Sequence, residues 1–238
     1  MSNKRSRQNV KGSNNNPSNS GAGGREFKIE LLNSAQKLAW AAFQKHDVLF
    51  LIGPAGTGKT FLATAFAIKS LLSKECEKIV LTRPIVEAGE SLGFLPGDFQ
   101  EKVNPYMMPM YDCIDKLVGF GESPQKAKIM ERTEIAPLAY MRGRTFDSSV
   151  CVFDEAQNAT KSQLKLFMTR FGQQSKLIIT GDPRQSDIGS GSGLAEVVHR
   201  LKGVPGIGII EFQNNSIVRH PLIGEILNRL EDSDIEGM

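Results

Sequence analysis

Gly53-Pro-Ala-Gly-Thr-Gly-Lys-Thr60 is the stretch whose reading decides the fold. It satisfies the pattern G-x-x-x-x-G-K-[ST] in full. Before it, Val48-Leu-Phe-Leu-Ile52 reads as a buried parallel strand; after it, Phe61 to Leu72 reads as a helix. Strand, glycine turn, helix is the setting the pattern needs. Backbone N–H groups of the turn and of the new helix then point inward together and form a nest for an anion. Gly53 and Gly58 are expected to let the backbone turn tightly and approach phosphate oxygens. Pro54, Ala55, Gly56, Thr57 and Phe61 complete the cradle. Lys59 is expected to set its charge on the β- and γ-phosphates, and the Thr60 hydroxyl to ligate Mg²⁺. The chain is therefore read as binding a nucleoside triphosphate.

Working outward, strands are expected at Lys78–Thr82, Ser149–Phe153, Lys176–Thr180 and Ile207–Phe212, with a short one at Thr133–Leu138. Proline after Arg83 forbids further pairing of the second strand. Helical spacing is read in the second half of 29–45, capped by Asn33 or Ser34, and over 104–119, 161–170, 193–201 and 221–230. Residues 86–103, with Gly89, Gly93, Pro96 and Gly97, read as irregular. Strands alternating with helices imply an α/β fold, a mainly parallel sheet with helices on both faces.

Two further strands deliver chemistry to one sheet edge. Val150-Cys-Val-Phe153 runs straight into Asp154-Glu155-Ala-Gln157. A carboxylate at the C-terminal tip of a buried strand lies beside the phosphate loop in this architecture. Asp154 is assigned to Mg²⁺, and Glu155, one residue on, to polarising the attacking water. The next strand ends in Gly181-Asp-Pro-Arg-Gln185; Gln185 is expected to sense the γ-phosphate or orient water, with Asp182 orienting Gln185 or an arginine.

The 238 residues, 40% hydrophobic, suffice for one full α/β domain and not for two in tandem. Three cysteines without paired spacing fit a reducing cytoplasm and offer no metal site. No apolar run has transmembrane length, and none near Met1 resembles a signal peptide, so a cytoplasmic protein without membrane contact is expected. The net charge of +3 is uneven: Lys4, Arg5, Arg7, Lys11 and Arg25 meet no acid in the first 25 residues, which leaves 24 basic and 26 acidic side chains in the rest. Residues 1–25 are read as a disordered basic tail, 26–232 as a single ATPase domain, and 233–238 as a frayed acidic end.

The phosphate loop, Asp-Glu-Ala-Gln and Gly-Asp-x-x-Gln resemble the first RecA-like domain of superfamily one helicases. Thr82-Arg-Pro84, Leu92-Gly-Phe-Leu-Pro-Gly97, Ile135-Ala-Pro-Leu-Ala-Tyr-Met-Arg-Gly-Arg-Thr145, Phe153-Asp-Glu-Ala-Gln-Asn158, Thr169-Arg170, Thr180-Gly-Asp-Pro-Arg-Gln185 and Val218-Arg-His-Pro-Leu222 are together similar to the PhoH-like family. The resemblance runs from about residue 30 to 230. It implies a three-layer RecA-like P-loop NTPase that hydrolyses ATP with Mg²⁺, is linked to phosphate starvation, and acts on single-stranded nucleic acid, RNA ahead of DNA with the choice between them open. Some relatives add a PIN ribonuclease or KH domain, for which this chain has no room. The resemblance also makes Gln36, 17 residues ahead of Gly53, an adenine reader.

Helicases with two such domains draw an arginine finger from the second, and this chain is expected to lack that domain. Arg219, between a strand and its helix, is a finger in cis; Arg170 and Arg200, at the far ends of helices, would reach only a neighbouring subunit. A head-to-tail homohexameric ring follows as a hypothesis. Arg83, Arg142 and Arg144, with Tyr140 and Phe146, are expected to line a surface for single-stranded nucleic acid, the alternative being that the arginines neutralise acids and the rings fill core. Two functions stay open: a nucleic-acid-stimulated ATPase, helicase-like, and a slow nucleotide switch that binds a protein partner.

Overall fold

The computed structural model describes residues 27–85 and 99–213. The basic tail, Leu92–Gly97, Val218–Leu222 with Arg219, the expected helix at 221–230 and the acidic end lie outside the described residues. Six strands form one sheet: β1 (Val48–Ile52), β2 (Lys78–Thr82), β3 (Thr133–Ile135), β4 (Ser149–Phe153), β5 (Lys176–Gly181) and β6 (Ile207–Glu211). Their spatial order is β3-β2-β4-β5-β1-β6, and every pairing is parallel. The five residues of β4 are all buried, as a strand covered on both faces requires.

Helices cover both faces. On one lie α1 (Ser34–Lys45) and α2 (Lys59–Leu72), joined by α3 (Phe99–Val118) and α4 (Pro124–Glu131). Asn33 caps α1 by accepting the Gln36 amide at 2.9 Å. Trp40, Phe43 and Phe66 form an aromatic cluster with centroids 5.0–5.8 Å apart. On the other face, α5 (Lys161–Met168) and α6 (Leu194–Leu201) bury Leu164, Phe167 and Leu194 against the sheet. A capping box between Thr160 and Gln163 starts α5. The α/β reading, parallel sheet and two helical faces all hold.

Two local readings are corrected, and one helix has no counterpart in the sequence reading. The helix read over 104–119 begins at Phe99, inside the stretch read as irregular. Pro105 and Pro109 stand within it, at a usual cost of about 3 kcal/mol each. Buried Met107, Met110 and Ile114, at helical spacing, place an apolar stripe against the core that outweighs this cost. The strand expected over Thr133–Leu138 stops at Ile135, and Leu138–Met141 forms a 3-10 turn. The helix α4, started by Ser123 with Pro124 behind it, carries one buried residue, Ile129, too few for a periodic signal.

Candidate active site

The tips of β2, β4, β5 and β1 are neighbours in the sheet, so residues distant in sequence meet along one edge. The loop after β1 is tied to the tip of β5 by Gly53 N–H donating to Gly181 O at 3.1 Å. Gly53 is glycine because of Phe212: a Cβ would stand 2.5 Å from the Phe212 carbonyl oxygen, with φ at 144°. Close approach of β6's end, rather than of phosphate, is what this position demands. Gly58 takes a left-handed conformation, φ 83°, and opens α2. The Thr57 side chain is fully buried and donates to Pro54 O at 2.9 Å, which braces the loop from inside.

Lys59 Nζ donates to the carbonyls of Gly53 and Pro54 at 2.6 and 2.8 Å. Thr60 Oγ1 donates to Asp154 Oδ1 at 2.7 Å, and Thr180 Oγ1 donates to the same oxygen. Asp154 is 2% exposed and forms no salt bridge among the described residues, so burial first, and neighbouring Glu155 second, push its carboxyl above the usual range. The two hydroxyls and Arg83 pull the other way and do not prevail. A buried, anionic oxygen cluster of this kind fits a hard divalent cation: the donors are a hydroxyl and a carboxylate, and the carboxylate stands outside any close ion pair. Thr82, whose carbonyl accepts the Asp154 amide at 2.9 Å, keeps a buried hydroxyl without a partner among the described residues. Thr60 and Asp154 are thus the residues that would hold Mg²⁺.

Glu155 adopts a left-handed conformation, φ 52° and ψ 42°, uncommon for a residue with a side chain. From this conformation its carboxylate accepts a hydrogen bond from the Nε2 of Gln157. Gln157 is buried, and its Oε1 accepts the Asp182 amide at 3.1 Å. One amide side chain therefore links the two strand tips. Asp182 is buried, accepts the Arg184 amide at 3.1 Å and pairs with Arg184 Nε at 3.6 Å. Of the two partners expected for Asp182, the arginine holds it.

A cavity of about 490 Å³ brings these groups together. Ala55, Gly56, Gly58, Lys59, Thr60 and Phe61 form one wall; Asp154, Glu155, Thr180 and Gly181 form a second. Arg83 lines it too, with Pro109, Cys113 and Lys116 from α3. Burial pushes the Cys113 thiol up to about 11, as it does Cys76, and Cys151 up to about 12, so all three stay protonated at neutral pH. Gln36 is 4% exposed, its Oε1 accepting the Leu32 amide at 2.7 Å, and its Nε2 lies 3.6 Å from where a Cβ on Gly58 would stand. It is a buried neighbour of the phosphate loop. Gln185 is exposed and does not line the cavity.

The arginines divide. Arg83, expected on a nucleic-acid surface, lines the same cavity as Lys59 and Thr60, 3.9 Å from Glu155, because the tip of β2 adjoins β4. For Arg144 that expectation is corrected: it forks onto both carboxylate oxygens of Glu134, and its guanidinium stacks 4.8 Å over the buried ring of Phe146. Only Arg142 of the three is exposed, beside an exposed Tyr140. Arg170 donates to the carbonyls of Leu166 and Arg144 and to Thr169 Oγ1, within its own subunit. Arg200 is exposed and pairs with Glu196 one turn before it at 2.7 Å.

Sequence reasoning gave no role to Gln157, Thr180 or Lys116. Gln157 stood in the quoted motif, two residues past Glu155. Thr180 was the last residue of an expected strand, and its polar character amid Leu177-Ile-Ile179 was the available signal. Lys116 carried none, since α3 reaches the site only through tertiary packing.

Comparison with known proteins bears on family and fold. The family profile described as PhoH-like protein matches residues 28–231. A PhoH-like protein of Bacillus subtilis is 49% identical over 210 residues, which cover 87% of this chain and 64% of that protein. The Protein PhoH of Escherichia coli K12 is 39% identical over 203 residues, 82% of this chain and 56% of that one. The chain thus spans about three-fifths of the length of these curated relatives. Among solved structures, the large terminase of a thermophilic bacteriophage has the same fold over 84% of this chain and 50% of its own, with a TM-score of 0.54 at 13% identity.

Proposed function

The chain belongs to the PhoH-like protein family, and from that premise we propose that it is a Mg²⁺-dependent ATPase whose hydrolysis is coupled to single-stranded nucleic acid, RNA before DNA. The fold is that of a P-loop NTPase. The observation that carries the proposal is one cavity holding Lys59 and Thr60 from the start of α2, Asp154 from the tip of β4 and Glu155 from a left-handed kink.

In this reading the α2 N-terminus and Lys59 bind the triphosphate, and Thr60 and Asp154 hold the cation. Bound Mg²⁺ would neutralise charge on the phosphate oxygens and on Asp154. Glu155, aimed by Gln157, takes a proton from water. The water oxygen bonds to the γ-phosphorus, and the bond from that phosphorus to the bridging oxygen breaks with its electron pair left on ADP. Inorganic phosphate is the second product, and solvent carries off the proton. Gln36, next to Gly58, would read adenine through its Nε2, its Oε1 being held by the Leu32 amide. Gln185, exposed in its loop, would sense phosphate only from a displaced position.

Coupling to RNA rests on family and on the exposed pair Tyr140 and Arg142, which fit a stacking and phosphate-pairing role. A homohexameric ring with a finger in trans falls to Arg200 rather than Arg170, since Arg170 already holds two carbonyls and a hydroxyl of its own subunit. The decisive experiment measures phosphate release by the purified chain with Mg²⁺, with chelator, and with single-stranded RNA or DNA, beside Lys59→Ala. Release that survives chelation and the lysine variant rejects the ATPase. Release insensitive to both nucleic acids rejects the coupling. Light scattering with and without ATP decides the ring.

A further inference from the structure

Arg83 follows directly on β2, and Thr82 is in register with Phe153 of β4, so Arg83 stands beside Asp154 and Glu155. It lines the cavity shared with Lys59 and Thr60, and its side chain is 26% exposed. Its contact with Glu155 is 3.9 Å, too long for a hydrogen bond. Among the described residues the guanidinium makes no hydrogen bond; Glu155 is its ion-pair contact, and Asp154, Lys59 and Lys116 share the cavity with it. Arg144 and Arg170, by contrast, have their forks filled by protein oxygens. A planar fork with its donors unclaimed, half-buried and facing a phosphate cradle, matches a phosphate oxygen pair better than it matches one distant carboxylate.

We propose that Arg83 is the γ-phosphate sensor of its own subunit: the triphosphate draws its guanidinium from Glu155 onto the terminal phosphate, and the carboxylate is thereby free to meet water. The proposal rests on the ATPase reading above and adds a device to it. ATP and ADP differ in this cavity by the one group Arg83 would contact, so the two states have the differential interaction that a switch requires. Without a terminal phosphate, the guanidinium stays near Glu155 and offsets the charge of the water-polarising carboxylate. Arg83 stays charged throughout and transfers no proton. A phosphate of a nucleic-acid strand is the competing occupant.

The test uses the full chain with Mg²⁺ and compares dissociation constants for a non-hydrolysable ATP analogue and for ADP. Arg83→Ala is expected to shrink the preference for the triphosphate about 10- to 100-fold, the range of one charge-assisted contact, with ADP affinity unchanged. Turnover falls alongside, and Arg83→Lys restores part of both because it keeps charge and loses the fork. A mixture of Arg83→Ala and Lys59→Ala subunits is expected to stay inactive; recovered activity would place Arg83 in trans and overturn the assignment to its own subunit. An unchanged triphosphate preference, or one preserved while RNA binding weakens, overturns the sensor. If the wild-type chain neither binds the analogue nor releases phosphate, the ATPase reading fails first. If it does both and Arg83→Ala matches it, this assignment alone fails.

Discussion

Glu134 and Asp154 sit on strand β3 and at the tip of β4, separated in the sheet by β2 alone, and they meet opposite fates. Glu134 is clasped by Arg144 and Lys78, and the Arg144 hydrogen bonds above all hold its carboxyl down to about 2. Asp154 receives hydroxyl donors and no salt bridge among the described residues, and burial drives its carboxyl up. The first site is electrically complete and can only stabilise. The second keeps a buried carboxyl without a close ion pair among the described residues, and a group so perturbed inside a cavity marks a candidate functional site. The same contrast separates Arg144, whose fork is filled, from Arg83, whose fork is not.

The comparison breaks most readily at the incomplete site. Glu155→Gln is expected to lower phosphate release about 10²–10⁴-fold, the usual contribution of a general base, with little change in the thermal midpoint. A variant with parental turnover would show that Glu155 does not handle the water. Next, Mg²⁺ should raise the thermal midpoint of the parent chain at neutral pH, because it supplies the charge that Asp154 lacks. Asp154→Asn removes the uncompensated anion, so its midpoint should respond to Mg²⁺ far less. An equal response in calorimetry would place the cation elsewhere.

The complete site sharpens the contrast through pH. The folded Glu134 carboxyl lies near 2 against an ordinary 4.5, so its stabilisation is present above about 4.5 and is lost as pH falls from there toward 2. Glu134→Gln should therefore lower stability at neutral pH by about 1 kcal/mol, a modest figure because Lys78 and Arg144 are more than a third exposed. The gap between variant and parent should close in acid; chemical denaturation at pH 7 and near pH 3 measures it. The smallest effect belongs to Arg142→Ala. With an exposed side chain it should leave stability within about 0.5 kcal/mol of the parent, and only RNA-stimulated turnover can reveal a role.

Much of this was legible in the sequence. Apolar runs of three to five residues located β1, β2, β4 and β5, and Ile207-Gly-Ile-Ile210 located β6, because a strand covered on both faces must be largely apolar. The octapeptide Gly53–Thr60 and the pair Asp154 and Glu155 were legible for the same reason: local backbone geometry and one strand's length fix where they lie. Helix α3 was misjudged at its start because proline and glycine signal a break locally, while Met107, Met110 and Ile114 answer to a core formed by distant residues.

A glycine turn between strand and helix, and carboxylates at a strand's end, could be read from the order of residues, since each depends on its own neighbours along the chain; the meeting of Thr60 with Asp154, 94 positions away, could not. Which arginine meets which acid emerged only from the folded arrangement. Arg83 reaches Glu155, 72 positions away, because β2 pairs with β4; Arg144 reaches Glu134 across a turn that folds back on Phe146. Charge partners are chosen by strand order and by burial, and neither quantity is written in the spacing of residues.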